Sequence, residues 1–310
     1  MKRTIPLAAL LLLASCATPA VERADGPRLA ITIDDLPVHG PIPAGMTANQ
    51  VNHLVIAALR DAKVPVTAFI NAQWAQSQPE TMAVLREWRA AGIPLANHTW
   101  SHLNLDMIPT AEYEREIVLD EPVLRDLGGG SDWHWFRYPF LAEGEDATKR
   151  AEIRAFLADR GYRIASVSMD FSDWQWTAPF ARCKATRNPT AIALMEQLYL
   201  DAARANVGFS RSIGQAIYGR DIPHVLLLHV GAFTARMLPR LLALYRAEGV
   251  RFVSLADAQA DPAFAEDMDP RLPARPQYIA ARAAAKGLPV PPQPDYATTL
   301  AALCRAAPSL

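Results

Sequence analysis

The sequence predicts an α/β fold in which seven parallel strands form a distorted (β/α)7 barrel, and three observations carry this prediction. From residue 28 onward, short apolar runs typical of buried strands alternate with longer segments that place apolar residues at helical spacing. Gly92, Gly161 and Gly249 each follow a helical segment and directly precede a strand, a position where glycine commonly ends helices. Seven such units between residues 28 and 258 are many for an open sheet, although a doubly wound sheet remains the alternative.

The predicted strands and helices alternate along the whole of this region. The strands are RLAITIDDLP (28–37), VPVTAFI (64–70), IPLANHT (93–99), WHWFRYPF (133–140), YRIASVSMD (162–170), HVLLLHV (224–230) and VRFVSLAD (250–257). The helices between them cover 48–63, 79–92, 110–128, 147–161, 189–219 and 234–249. Because a helix separates each strand from the next, we expect the strands to be parallel.

Two segments lie outside the predicted barrel domain (28–258). Residues 1–15 combine a short basic start with an apolar run too short to span a membrane, which is typical of an export signal. The following Cys16 completes the sequence LASC, which resembles a bacterial lipobox whose cysteine is lipidated; cleavage of an ordinary signal peptide near 17–20 is the alternative. Residues 261–310 contain 9 of the 25 prolines, so we predict an irregular C-terminal extension over 259–310 with a short helix near 296–307.

Composition limits the partners. The chain is 51% hydrophobic and 20% charged with a formal net charge of -1, the balance of a globular protein with a sizeable core. No cluster of Lys and Arg is present, so we expect no nucleic-acid partner.

We expect an exported protein held in the cell envelope by a lipid on Cys16, in the outer membrane and facing the periplasm. In that oxidising compartment Cys183 and Cys304 form either a disulfide or two separate thiols.

Polar residues follow most of the predicted strands. In a parallel barrel the carboxyl ends of the strands meet on one face, where catalytic groups collect. The residues at these ends are Asp34 and Asp35, His98, Arg137 with Tyr138, Asp170 with Asp173 and Trp174, and His229. Each has an ordinary structural explanation when taken alone, such as a solvated turn or a surface histidine. Their coincidence on one predicted rim favours a functional site.

The residue types at this rim are sufficient for metal-assisted hydrolysis. Two imidazoles and one carboxylate form a Zn²⁺ site that leaves positions open for water and substrate. His98 and His102 are four residues apart, about one helical turn, so both could face the same ion. A second carboxylate can act as the base and a remote histidine as the acid.

These residues resemble the motifs of the polysaccharide deacetylases, the NodB-like proteins of carbohydrate esterase family four. The segments that resemble the five family motifs, in the family's order, are Thr32-Ile33-Asp34-Asp35-Leu36, His98-Thr99-Trp100-Ser101-His102, Arg137-Tyr138-Pro139-Phe140, Asp170-Phe171-Ser172-Asp173-Trp174 and Leu226-Leu227-Leu228-His229. One departure concerns the first motif, where Leu36 and Pro37 replace the family's glycine and are expected to reshape the first loop.

The resemblance implies a role for each of these residues and an activity for the chain. The implied metal ligands are Asp35, His98 and His102; the base is Asp34, held by Arg137; the acid is His229, oriented by Asp173; and the wall for the acetyl methyl group is Leu227 with Trp174. Trp100 and Tyr138 are candidates for stacking on sugars because they are aromatic residues near the rim. The implied activity is removal of acetyl groups from N-acetylated, and in some cases O-acetylated, sugars of a polysaccharide.

Two other functions remain open. One is a non-catalytic envelope lipoprotein that binds glycans with the same barrel, which would be expected to lack the base, the acid or a metal ligand. The other is a related barrel hydrolase that acts on a small amide.

Overall fold

The computed structural model describes residues 26–77, 79–128, 131–275 and 278–305. The export signal predicted over residues 1–15 and the predicted lipidation site, Cys16, lie outside the described residues. Within the described part of the chain, no helix is both long and apolar enough to cross a lipid bilayer.

All seven predicted strands are present, and every strand pair is parallel. The strands are Arg28–Leu36 (β1), Val66–Ile70 (β2), Leu95–Asn97 (β3), Trp135–Phe136 (β4), Arg163–Ile164 (β5), His224–His229 (β6) and Arg251–Phe252 (β7). They form one sheet in the order β5-β4-β3-β2-β1-β6, with β7 also paired to β1.

The sheet curls into a barrel that is joined across its two outer strands. Met169, five residues after β5, makes a parallel bridge to Leu226 of β6. The Met169 N–H donates to the Val225 carbonyl at 2.9 Å, and the Leu227 N–H donates to the Met169 carbonyl at 3.0 Å. This closure excludes the doubly wound sheet that the sequence left open.

The helices surround the barrel. They are Ala48–Ala62 (α1), Ala72–Ser77 (α2), Pro79–Ala90 (α3), Thr110–Gly128 (α4), Ala147–Asp159 (α5), Thr177–Ala185 (α6), Pro189–Tyr218 (α7), Ala232–Ala247 (α8), Leu255–Gln259 (α9), Ala265–Met268 (α10), Ile279–Ala285 (α11) and Ala297–Ala302 (α12). Their apolar faces pack against outward-facing strand residues such as Ile31, Ile33 and Leu228. This packing forms the largest hydrophobic cluster among the described residues.

Inward-facing strand residues fill the barrel with a mixture of small and large side chains. Ala30, Ala96 and Ala165 leave room for the rings of Phe69 and Trp135, and all five are buried in one cluster. Alternation along the strands brings later residues of the same inward face to the carboxyl end of the barrel, where the polar groups begin.

All seven predicted strands are shorter than their apolar runs suggested, most of all those in WHWFRYPF, YRIASVSMD and VRFVSLAD, which keep two paired residues each. In WHWFRYPF only Trp135 and Phe136 are paired, and a 3-10 turn follows from Pro139, which has no N–H to extend a ladder. In VRFVSLAD pairing ends at Phe252, because the Ser254 hydroxyl accepts the Asp257 N–H and caps helix α9. Capping therefore ended an apolar run that periodicity alone extended as a strand.

The C-terminal extension is packed against the barrel. Phe264, Ile279 and Ala283 lie in the same buried cluster as the barrel interior. Further along, a disulfide joins Cys304 to the buried Cys183 of α6, which settles the alternative left open by the sequence. The extension is thus attached both by buried apolar contacts and by a covalent link that closes a span of 121 residues.

We expect loss of this disulfide to lower the free energy of unfolding by about 2–4 kcal/mol, because a cross-link over a long span restricts the unfolded chain. The measurement is urea denaturation of the wild type with and without reductant, compared with Cys304→Ser. Reductant should leave the variant unaffected. Equal stability of the oxidised and reduced wild type would contradict this prediction.

Candidate functional site

The carboxyl ends of the strands line a cavity of about 440 Å³. Its lining residues are Asp34, Asp35, His39, His98, His102, Tyr138, Phe140, Leu141, Asp170, Trp174, Leu227 and His229. The five strand ends singled out in the sequence therefore converge on one cavity.

A β-bulge brings the two neighbouring aspartates to the same side of β1. In a regular strand Asp34 and Asp35 would point to opposite faces. Between Ile33 and Leu36, however, three steps along β1 match two steps along β2, and Asp35 has a left-handed backbone with φ of 67°. Both carboxylates consequently line the cavity, and both residues are buried.

The two histidines of the HTWSH motif lie on a loop. His98 directly follows β3, and His102 has a left-handed backbone with φ of 61°, so the helical turn suggested by their spacing is wrong. The Glu116 carboxylate holds this loop by accepting the N–H and the hydroxyl of Ser101 at 2.6 and 2.7 Å. The Asn71 amide donates to the carbonyls of His98 and the next residue. Neighbouring elements, rather than helix geometry, aim the two imidazoles.

Asp35, His98 and His102 form a candidate metal centre. The Asp35 Oδ1 lies 3.3 Å from His98 Nε2 and 3.2 Å from His102 Nε2, and the ligand atoms of all three residues lie within 4.8 Å of one another. Two ligands of one tetrahedral Zn²⁺ ion, each about 2.0–2.2 Å from it, would be separated by roughly 3.4 Å. Asp35 Oδ1 is buried and has no hydrogen-bond partner among the described residues, which fits an atom left for a metal.

The protonation states of this centre suit a metal. The Arg137 carbonyl lies 2.7 Å from His98 Nδ1, which assigns the proton to Nδ1 and leaves Nε2 as the ligand atom. Burial, and then the charge of His98, lower the pKa of His102 to about 4. Burial raises the pKa of Asp35, but the hydrogen bond with His39 and the neighbouring imidazoles, His98 first among them, outweigh it and hold this pKa well below its usual value. A neutral imidazole and an ionised carboxylate are the forms that bind metal.

Arg137 holds Asp34 from inside the barrel. Its Nη1 lies 3.2 Å from Asp34 Oδ2, its Nη2 donates to the Thr32 hydroxyl, and its Nε donates to the Ala165 carbonyl. The guanidinium also lies over the Phe69 ring, with its central carbon 4.8 Å from the ring centroid. Arg137 is completely buried, so this arrangement orients one face of the Asp34 carboxylate.

Asp173 holds His229, the last residue of β6, the strand that pairs with β1. Its Oδ1 lies 2.7 Å from His229 Nδ1, and its Oδ2 accepts the His229 N–H and the Thr234 hydroxyl. Burial lowers the pKa of His229, but Asp173, followed by Asp35 and Asp34, raises it to about 10. Asp34 and His229 are direct register partners on β1 and β6. A carboxylate and a protonated imidazole thus lie side by side in the cavity.

Comparison with known sequences identifies the family. A sequence model described as polysaccharide deacetylase matches residues 22–177, half of the 310 residues. The chain belongs to the polysaccharide deacetylase family. The matched region carries the paired aspartates, the two histidines, Arg137 and Asp173, whereas His229 lies beyond it.

Solved structures share the barrel of this polysaccharide deacetylase. A carbohydrate esterase family 4 pseudoenzyme from Bacillus anthracis is 13% identical with a TM-score of 0.52, and the match covers 76% of this chain and 66% of that one. A structure described as the T48 deacetylase with substrate is 16% identical with a TM-score of 0.50, covering 76% and 92%. A family 4 carbohydrate esterase from Streptomyces lividans, in complex with acetate, is 21% identical with a TM-score of 0.49, covering 76% and 96%. At these identities the first two likenesses support the fold alone.

The residues of the deacetylase that are predicted to contact the substrate differ in how exposed they are and in whether they line the cavity. Leu227 and Trp174 both line the cavity, and Trp174 is 46% exposed. Trp100 packs against the hydrophobic core and does not line the cavity. The Tyr138 ring is completely buried and stacks on Tyr113, although the residue also lines the cavity, and its contact with a sugar stays a prediction. Alternation along the chain turns Tyr138 outward while its neighbour Arg137 points inward.

His39, Phe140 and Leu141 line the cavity but were assigned no role from the sequence. His39 lies four residues after Asp35, and its Nδ1 is 2.6 Å from Asp35 Oδ2. Its ring also lies against His229, with ring centroids 4.9 Å apart. Phe140, which is 64% exposed, places its ring against His102 with centroids 4.6 Å apart. The signal available in the sequence was the position of His39 only four residues after Asp35. No local pattern of residues, however, indicates that the loop folds back onto Asp35.

We expect His39→Ala to weaken Zn²⁺ binding by about 10–100-fold, since His39 orients the carboxylate through its second oxygen. His39→Asn keeps a side-chain N–H and should lose less. The measurement is competition for zinc with a chelator of known affinity. His53→Ala, which alters a histidine with a 66% exposed side chain on α1, is the matched control. An unchanged affinity in His39→Ala would remove His39 from this role.

Proposed function

We propose that this polysaccharide deacetylase hydrolyses the acetamide of N-acetylated sugars in a cell-envelope or extracellular polysaccharide, with Zn²⁺ as its metal. The observation that carries the proposal is the pairing of Asp34 with His229 beside the Asp35, His98 and His102 centre in one cavity. Acyl transfer from nitrogen requires a base for the attacking water and an acid for the leaving amine. Neither group, and none of the three ligands, is missing from this chain.

Asp35, His98 and His102 would hold the metal. When bound, Zn²⁺ lowers the pKa of a coordinated water and polarises the acetyl carbonyl. Asp34 then accepts the proton of the attacking water, while Arg137 keeps the carboxylate in position. The same arrangement supports O-deacetylation, because a sugar hydroxyl is also a leaving group that needs a proton.

His229 supplies that proton. Its Nδ1 is committed to Asp173, so Nε2 is the nitrogen available to the leaving amine. The raised pKa of His229 keeps it protonated at neutral pH. Leu227 and Trp174 offer an apolar surface in the cavity for the acetyl methyl group.

The experiment is acetate release from a panel of peptidoglycan, chitin oligosaccharides, poly-N-acetylglucosamine and acetylated xylan. We expect release from at least one N-acetylated polymer, its loss after chelation and its return with added zinc. Release that persists without any metal would contradict the metal-dependent mechanism. Binding of a glycan without release, by a protein shown to contain zinc, would instead support the non-catalytic glycan-binding protein.

We also propose that the protein is exported and anchored by lipid on Cys16. The sequence LASC after the apolar run supports this, and the disulfide between Cys183 and Cys304 suits an oxidising compartment. In the native host, Cys16→Ala should move the protein from the membrane fraction to the soluble fraction without changing its turnover number. A wild-type protein found entirely in the soluble fraction would contradict anchoring.

A further inference from the structure

The loop between β1 and α1 (37–47), which we call the first loop, is held by backbone contacts on two sides. The His39 N–H donates at 2.8 Å to the carbonyl of Val230, the residue directly after β6. Nearer the start of the loop, the buried Asn52 amide of α1 donates to the Pro37 carbonyl at 2.6 Å. The backbone that leads to His39 is therefore tied to both α1 and the end of β6.

Thr177, the first residue of α6, lies between the first loop and the turn after β6. Gly40 of the loop has a left-handed backbone with φ of 66°, and a Cβ atom at this position would lie 2.9 Å from Thr177 Cγ2. A Cβ atom at Gly231, in the turn, would lie 2.9 Å from Thr177 Oγ1. Non-bonded carbon atoms pack best at about 3.5–4.0 Å, so neither glycine leaves room for a side chain of its own. The loop, the turn and α6 therefore meet at Thr177.

The shape of the Thr177 side chain, rather than its hydrogen bonding, explains its position. Thr177 is 2% exposed, and its Oγ1 has no hydrogen-bond partner among the residues that the structure describes. An unpaired buried hydroxyl lowers stability, so polar bonding does not account for a threonine here. One branch of the side chain instead lies against Gly40 and the other against Gly231. Because a β-branched side chain is stiff at χ1, it fixes the separation of the loop from the turn.

The first loop, held in this way, places the His39 ring between a metal ligand and the acid. The His39 Nδ1 lies 2.6 Å from Asp35 Oδ2, and the ring centroids of His39 and His229 lie 4.9 Å apart. The Nδ1 of His229 is held by Asp173, which begins the 3-10 turn that leads directly into Thr177. The imidazole of His229 is thus held at one nitrogen by Asp173 and at its ring by His39.

We propose that Thr177 is a positioning residue for the acid: it fixes the first loop so that His39 keeps the His229 imidazole aimed at the leaving amine. This inference rests on the proposed function, because it takes His229 as the acid. Thr177 does not line the metal-binding cavity, so it acts through His39 rather than on the substrate.

The test compares an acetamide with an activated aryl acetate, whose leaving group needs no proton. Thr177→Ala removes both branches of the side chain and should lower kcat for the N-acetylated substrate of the wild type roughly ten- to hundredfold, since small displacements of a reacting group have effects of this size. The loss of kcat for the aryl acetate should be smaller. Excess zinc in both assays removes any effect of weaker metal binding. A general loss of structure would instead lower the two rates equally.

Three further proteins control for shape and for folding. Thr177→Val keeps both branches and loses only the unpaired hydroxyl, so this conservative variant should keep the wild-type ratio of the two rates. Thr177→Ser, which keeps one branch and disturbs the packing less, should give a smaller loss in the same direction. Thr186→Ala is the matched control, because Thr186 is exposed at the other end of α6 and does not line the cavity. Equal losses for both substrates in Thr177→Ala, or a wild-type ratio in that variant, would overturn the inference.

NMR relaxation of the histidine Cε1 carbons separates this inference from the proposed function, because the measurement needs no turnover. In the zinc-loaded protein, the His229 ring should be more mobile in Thr177→Ala than in the wild type and in Thr177→Val. This result supports the role of Thr177 even if the wild type releases no acetate, and in that case only the proposed function fails. Equal mobility of the His229 ring in all three proteins overturns the inference.

Discussion

Replacement of Asp34 by asparagine is expected to lower the turnover number for acetate release by roughly 10²–10⁴, the usual contribution of a positioned proton transfer. Asparagine has nearly the same shape but cannot accept the proton of the attacking water. The metal ligands are not altered, so zinc content should equal that of the wild type. A variant with wild-type turnover would remove Asp34 from the role of base.

The same substitution has a cost in stability that the experiment must separate from catalysis. Asp34 is the anionic partner of the buried Arg137, and breaking such a pair commonly destabilises a protein by about 3–5 kcal/mol. The asparagine oxygen can still accept one hydrogen bond, which reduces this loss. Turnover should therefore be compared at a temperature where circular dichroism shows both proteins to be folded. Loss of activity that follows loss of structure would not count as catalytic.

Replacement of His229 by alanine should lower turnover by a similar factor, roughly 10²–10⁴, because the leaving amine then lacks its proton donor. The loss should be greater for acetamides than for acetate esters of activated alcohols, which need less protonation as they leave. Equal losses for both substrate classes would indicate a structural role for His229.

The pH profile gives an independent measure of the acid. The protonated form of His229 is the active one, so the turnover number should fall as pH rises through its pKa. Asp173, Asp35 and Asp34 raise this pKa, and the His39 ring lies against the imidazole. Asp173→Asn removes the largest of the favourable charges, so the pKa falls and the alkaline limb of the profile moves to lower pH. An unmoved limb would show that a group other than His229 controls it.

Several parts of this site could be predicted from sequence because they depend on local periodicity. Each apolar run marked a strand, although several runs extended beyond the paired residues. Parallel strands connected by helices place those ends on one face, so Asp34, His98, Arg137 and His229 could be grouped from their positions in the chain alone. The composition of that group, with two histidines and paired aspartates, then indicated metal-assisted hydrolysis.

Other parts could not be predicted because they depend on contacts between segments far apart in the chain. The bulge that turns Asp35 toward the cavity arises from its pairing with β2, and the loop that aims His102 is held by Glu116 on α4. Tyr138 illustrates the same limit. Its ring is buried against Tyr113, and that burial depends on the direction of the side chain, which the sequence does not indicate. His39 reaches Asp35 through a loop whose path no periodic pattern describes.

The sequence by itself determined the order and type of the barrel elements and the chemical character of the rim, because both follow from the spacing of apolar residues and from the residue types that end each run. Only the tertiary structure decided that the sheet closes through Met169, that Cys183 pairs with Cys304, and that Thr177 packs between Gly40 and Gly231. These features join residues that are tens to more than a hundred positions apart. Their geometry is set by the packing of the whole barrel, which no local pattern of residues records.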